Sequence, residues 1–411
     1  MGTFSYFCDM DRLQRLKQET LDELTRDILP FWERRMQDGC GGFHGRIDGQ
    51  GRLDPKAPKG AILNARILWT FSAAYRLLGD PAWEAVARNA FLQIRDRFYD
   101  PEYGGVYWSL DPEERPLDTK KQFYAIAFAI YGLSEFFRAT GEEEALKLAI
   151  RLFRDIEGHS LDPDKGGYLE ATQRDWSPIS DMRLSDKDRN DAKTMNTHLH
   201  ILEGYTALYR VWKDEGLRRS LTALVGLFLD RIARPDGHLG LFFDEDWREQ
   251  SATVSFGHDI EASWLLLETA EALEDAALME RVRSCSIRMA DAAAEGLQGD
   301  GGMIYESDPD AGTKDTDRHW WVQAETVTGC LWQYRLRGDE TWLERACACW
   351  SFIKDHMISP DGEWYWSVRE TGAPHLDEDR AGFWKCPYHN GRMCLEYYSE
   401  SEATTSAIVG R

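Results

Sequence analysis

The chain has 411 residues, 43% hydrophobic and 12% aromatic, enough to bury a large core and, by length alone, to suggest two or three domains. Its 49 Lys and Arg against 71 Asp and Glu leave a formal charge of −22, which repels nucleic-acid phosphates and anionic lipid headgroups. Neither nucleic acid nor a membrane is therefore an expected partner; a neutral small molecule fits better.

The N-terminal stretch MGTFSYFCDMDRLQRLKQE lacks a basic segment followed by an apolar one, so no secretory signal is read there. The eight cysteines form no CxxC pair and no disulfide framework, and read as reduced thiols. The longest apolar run, YAIAFAIYGL (124–133), is about half the roughly 20 residues that a membrane-spanning helix needs. A soluble, cytoplasmic protein is expected.

Glycine-centred turns then recur along the chain, at Gly41, Gly104, Gly166, Gly237, Gly301 and Gly362, in steps of 63, 62, 71, 64 and 61 residues. Each turn is followed by a short aromatic strand-like piece, a loop, a very apolar helix, a tight turn such as LLGDPAW, and an amphipathic helix. The apolar helices are expected near 60–79, 120–139, 193–212, 257–274, 319–337 and 387–399. Their amphipathic partners are expected to begin near 11, 81, 142, 215, 276 and 339. A helix that is apolar all round is buried on both sides, whereas a one-faced helix lies outside. Six of each close most simply into an all-α (α/α)6 barrel occupying residues 1–400, with short β-hairpins in the glycine turns and a flexible tail at 401–411.

In such a barrel the inner helices run parallel and begin at one mouth. Their first turns carry Asn64 and Arg66, Gln122 and Tyr124, Asn196, His198 and His200, His258 and Glu261, Trp320, Trp321 and Glu325, and His389 with Arg392. Polar groups at the start of buried helices need partners, either one another or a ligand. Asn196 and His200 are four apart and share a face, while His198 points away and reads as a satisfied core histidine. His258 and Glu261 are three apart, a spacing that lets a carboxylate orient an imidazole acting as general base. Trp384 precedes His389 by five residues, and indole faces bind the C–H faces of sugar rings. His200, His258 and His389 could form a zinc set, but no local pairing such as HExxH supports a metal. A glycosidase would need two flanking carboxylates, for which Glu261 and Glu325 are the candidates, leaving three imidazoles without a task.

The stretches NDAKTMNTHLHILEGYTALYRVW, GHDIEASWLL, WWVQAE and GFWKCPYHNGR, in this order, closely resemble the N-acylglucosamine 2-epimerase superfamily, and within it the members that act on β-1,4-linked disaccharides. The resemblance covers residues 10 to 400. It implies an isomerase that interconverts glucose and mannose at the reducing end of cellobiose or lactose, without cofactor or metal, as a monomer or weak homodimer. By this resemblance His258 and His389 are the acid/base pair and Glu261 is the carboxylate supporting His258. Arg66, Asn196 and His200 hold the reacting sugar and its oxyanion. Trp321, Glu325 and Trp384 bind the disaccharide, Asp188 contacts its non-reducing sugar, and Tyr124 joins the pocket. Mannose isomerases and N-acylglucosamine epimerases share the barrel and remain alternatives, as does, from another class, a hydrolase or a sugar-binding barrel.

Overall fold

The structure, a computed structural model, describes residues 2–185 and 188–396, with side chains from residue 12 onward; the tail expected at 401–411 lies outside the described residues. Twelve helices among them alternate as expected. The outer ones are α1 (Gly2–Glu23), α3 (Pro81–Gln93), α5 (Glu143–His159), α7 (Glu215–Leu227), α9 (Ala276–Ala293) and α11 (Glu340–Phe352). The inner ones are α2 (Ala61–Leu78), α4 (Phe123–Thr140), α6 (Met195–Val211), α8 (Phe256–Leu273), α10 (Trp320–Arg337) and α12 (388–396). The first outer helix starts nine residues earlier than the pattern suggests and runs on through π-turns to Met36. No described helix is long and apolar enough to cross a membrane.

Local chemistry sets these boundaries. Every side chain from Phe123 to Phe136 of α4 is buried, whereas α5 buries only Ala145, Leu148, Ala149, Leu152, Phe153 and Ile156, one stripe at helical spacing. Inner helices α2, α4 and α10 end on glycines in the left-handed region, Gly79, Gly141 and Gly338. The outer helices α3, α7, α9 and α11 start on aspartates, Asp80, Asp214, Asp275 and Asp339, whose carboxylates accept first-turn N–H groups. Neighbouring inner helices approach to backbone contact. A Cβ on Gly204 would stand 2.6 Å from the Ala127 carbonyl oxygen, and one on Gly132 would stand 2.7 Å from that of Ala65.

Each glycine turn is closed by one antiparallel bridge: Gln37 to Phe43, Tyr99 to Val106, Leu161 to Tyr168, Ala233 to Leu239, Leu297 to Met303 and Ile358 to Trp364. The strand before each of five inner helices pairs with the piece after the next repeat's turn. Lys59 lies opposite Leu110, Lys121 opposite Thr172, Lys193 opposite Phe243, Val254 opposite Ser307, and Arg318 opposite Val368. Ile47 and Ala381 join the last repeat to the first, while Trp364 donates from its indole to Glu23 of α1. The pairing thus runs around the ring from one repeat to the next.

A buried cation anchors the segment that enters five of the six inner helices. Lys59 reaches Asp38 at 2.6 Å, Lys121 reaches Asp100 at 2.9 Å, Lys193 reaches Asp162 at 2.8 Å, Arg318 reaches Asp300 at 3.0 Å and Lys385 reaches Glu363 at 2.7 Å. In each case the acid lies in the glycine turn of the same repeat. The fourth repeat carries Val254 instead, and there Arg234 bonds Glu249 at 2.7 Å and the Ser251 carbonyl at 3.0 Å. Lys385 and Glu363 are fully shielded from solvent. Lys385→Met, which takes the counter-charge from that carboxylate, is expected to cost about 3–5 kcal/mol, and adding Glu363→Gln recovers part of the loss. Denaturation midpoints of the two variants measure both effects.

Candidate active site

The first turns of all six inner helices meet at the mouth, because the strand ring starts every inner helix at the same end. Trp321 of α10 lies between the two expected acid/base residues: its ring centroid is 4.7 Å from that of His258 and 5.8 Å from that of His389. Helices α8 and α12 therefore deliver imidazoles to one indole from positions 131 residues apart in the chain.

The support beneath these imidazoles differs from the expectation. His258 Nδ1 is bonded to the Ser255 hydroxyl at 2.8 Å, and no bond joins His258 to Glu261. Glu261 Oε1 instead accepts from Arg392 Nη2 at 2.8 Å, and its Oε2 has no hydrogen-bond partner among the described residues. Three-residue spacing on a helix makes such a pairing available, but Arg392 on a neighbouring rod offers a full charge to a carboxylate that is otherwise desolvated. The carboxylate bonded to one of the expected acid/base histidines is Glu325, expected among the sugar contacts. Its Oε1 accepts the His389 Nδ1–H at 2.6 Å, and its Oε2 accepts from the Trp264 indole at 3.0 Å. That bond leaves His389 Nε2 free to exchange a proton.

His200 Nδ1 is bonded to Glu203 Oε2 at 2.8 Å, and Glu203 Oε1 accepts in turn from the Tyr388 hydroxyl and Arg392. Arg66 donates to the Tyr124 hydroxyl at 2.9 Å and lies over the Phe128 ring at 4.1 Å, while Tyr124 meets His200 edge-on at 5.0 Å. Trp384 continues this wall, 6.1 Å from Tyr124 and 5.8 Å from Trp108. Asn196 lies in the first turn of α6 with a buried Oδ1 that has no hydrogen-bond partner among the described residues. Asp188, in the loop before α6, accepts from the Ser185 amide and hydroxyl at 2.9 and 2.8 Å. His198 is the satisfied core histidine expected: it bonds the Thr194 carbonyl at 2.6 Å and accepts from the Tyr168 amide at 2.8 Å.

Burial pushes the His258 imidazole down to about 3, with His200 acting in the same direction, so it rests neutral. His389 is driven well below its ordinary value by burial and by the charges of Arg66 and Arg392. Burial would raise Glu203, but Arg392 and His200 hold it below the usual carboxylate range. Glu261 moves well above that range through burial and repulsion from Glu325. The site thus offers neutral imidazole bases beside fixed arginine charge.

Glu261, Glu325 and His389 bring their donor atoms within 4.8 Å of one another, a set that resembles a metal site. Arg392 Nη2 already stands 2.8 Å from one carboxylate and 2.7 Å from the other, so the positive charge this cluster requires comes from the chain itself. The donor set does not fit a resident cation while that guanidinium occupies it.

Arg392, Glu203, Tyr388 and Ser255 complete the network but were not singled out as functional residues from the sequence. His200 and Glu203 have the same three-residue spacing that drew attention to His258 and Glu261, a signal that was legible. The contacts of Tyr388 and Arg392 cross between helices and leave no mark in sequence spacing.

The model of the family N-acylglucosamine 2-epimerase (GlcNAc 2-epimerase) matches residues 41–390. A cellobiose 2-epimerase of Bacteroides fragilis is 58% identical, with 94% of this chain and 99% of that protein covered. A cellobiose 2-epimerase of Ruminococcus albus is 42% identical, with 92% and 97% covered. The solved structure of cellobiose 2-epimerase from Bacillus thermoamylovorans superposes with a TM-score of 0.90 at 37% identity, covering 94% of this chain and 100% of that one. With every site residue expected from the sequence inside the matched span, the chain belongs to the N-acylglucosamine 2-epimerase family.

Proposed function

We propose that the protein is an isomerase that inverts C2 of the reducing-end glucose of a β-1,4-linked disaccharide such as cellobiose or lactose, giving mannose at that position. The observation that carries this reading is the pair of imidazoles on one indole, His258 and His389, reached from separate helices. Inverting a carbon by proton transfer requires a base on one face and an acid on the other, and an imidazole can take up and give back a proton at the same nitrogen. The near-full-length likeness to cellobiose 2-epimerases supports the disaccharide over a free hexose.

The sugar ring opens first, since only the aldehyde acidifies the C2 hydrogen, and His389 Nε2 moves the proton between O1 and O5. His258, neutral and oriented by Ser255, removes the C2 proton. Arg66 stabilises the charge on O1 of the enediolate, where fixed donors in a desolvated pocket act most strongly, and His200 Nε2 accepts from a sugar hydroxyl. His389 Nε2 takes up a proton from water, giving an imidazolium stabilised by Glu325, and after rotation about C2–C3 it delivers that proton to the other face. His389 is then neutral again, and His258 returns to water the proton it took from C2.

Asn196, Tyr124, Trp321 and Trp384 hold the sugar, and Asp188 meets the non-reducing ring. A hydrolase reading is disfavoured because Glu261 and Glu325 both turn onto one guanidinium rather than across a glycosidic bond from each other. Free thiols and the strongly acidic composition support a cytoplasmic role in carbohydrate metabolism, as a monomer or weak homodimer.

His258→Ala and His389→Ala are each expected to lower kcat on cellobiose by about 10²–10⁴-fold while the protein stays folded. Chromatography of the products reads the loss, and wild-type formation of a fructose-type product or free glucose would replace the epimerase reading. In heavy water the product gains deuterium at C2; an unlabelled product argues for hydride transfer instead. Chelator treatment leaves turnover unchanged, whereas a loss reversed by added zinc restores the metal reading.

A further inference from the structure

Arg392 occupies a position that neither sugar binding nor proton transfer explains. Its guanidinium contacts Glu203 on α6, Glu261 on α8 and Glu325 on α10, each only 1% exposed. It is sandwiched between Trp264 and Tyr388, whose ring centroids lie 4.6 and 4.2 Å away. Two of its three carboxylates are the direct partners of imidazoles, Glu203 of His200 and Glu325 of His389. One cation therefore lies a single hydrogen-bonded group away from two histidines on different helices.

We propose that Arg392 is a positioning residue whose guanidinium holds Glu203 and Glu325 in place as hydrogen-bond acceptors, keeping His200 and His389 as Nδ1–H tautomers with Nε2 available to the substrate. Three desolvated carboxylates cannot remain ionised together without a counter-charge. Once Glu325 shares a proton with Glu261, it ceases to be a fixed acceptor and His389 is free to change tautomer. The groups facing His389 are Glu325, Glu261 at 3.9 Å, Arg66, and His200 with Glu203, besides Arg392 and Tyr388 on its own helix. Among them Arg392 also opposes charge on the imidazole directly. The proposal rests on the epimerase reading only in giving Nε2 a sugar to act on.

The experiment pairs Arg392→Met, which removes the charge at similar length, with Arg392→Lys, which keeps it but loses the forked geometry. NMR of ring-labelled histidine on the sugar-free protein reads the titration and tautomer of His389, and cellobiose turnover is measured alongside. In Arg392→Met the Nδ1–H tautomer signal of His389 is expected to be lost, because Glu325 is no longer held as its acceptor. In that variant kcat falls roughly 100-fold or more, with KM changed by less than about threefold. Arg392→Lys keeps the Nδ1–H tautomer although turnover is reduced.

A tautomer unchanged in the Met variant, or lost alike in both, overturns the proposal, because a purely structural arginine would disturb packing in each without releasing this one hydrogen bond. Should Arg392→Met not fold, Glu325→Gln reads the same connection in the opposite direction. Losing the carboxylate lowers the His389 titration and abolishes the Nδ1–H tautomer signal, and an unchanged tautomer again overturns the role assigned. Variants that show these changes while the wild-type protein leaves cellobiose unconverted sink the epimerase reading and retain the role of Arg392.

Discussion

A chemically useful mouth requires six buried helices to begin at one level, and the buried cation–acid pairs set that level. Each joins the segment entering an inner helix to the glycine turn that ends the preceding outer helix. A charge taken out of water is tolerated only against a near partner, so these pairs leave the segment little freedom to slide. Register is then passed on by backbone pairing from each strand to the next repeat. The fourth repeat, with Val254, reaches the same end by different means: Asp259 accepts the Leu239 amide at 2.9 Å and bonds His238 at 2.7 Å.

The same rule governs the site. Nearly every charged group there is buried, and each is held by a neighbour on another helix rather than by water. Arg392 draws carboxylates from three rods to one point, and those carboxylates orient imidazoles from two. Asn196 Oδ1 and Glu261 Oε2, which have no hydrogen-bond partner among the described residues, lie in the first two turns of α6 and α8. Rigid packing below and unsatisfied polarity above are what a pre-organised binding pocket needs.

Much of this was legible in the residues. Glycine turns about 60 residues apart, alternating all-round and one-sided apolar helices, and histidines confined to helix starts lead to the barrel and its mouth. His198 could be recognised as a core residue because its face opposes that of His200. The identity of the carboxylate partners was not legible. Glu261 sits three residues from His258, and helical spacing nominates it as support, yet it turns to Arg392 while Ser255 holds the imidazole. Glu325 lies 64 residues from the histidine it orients, a pairing created only by the approach of α10 to α12.

By itself the sequence determined which segments become helices, which of them are buried, and that imidazoles gather at one end, because apolar periodicity, caps and turns act over a few residues. Only the tertiary structure decided which acid serves which base. That choice depends on competition for charge between side chains on different helices, and such competition is settled by distances that no single strand of sequence contains.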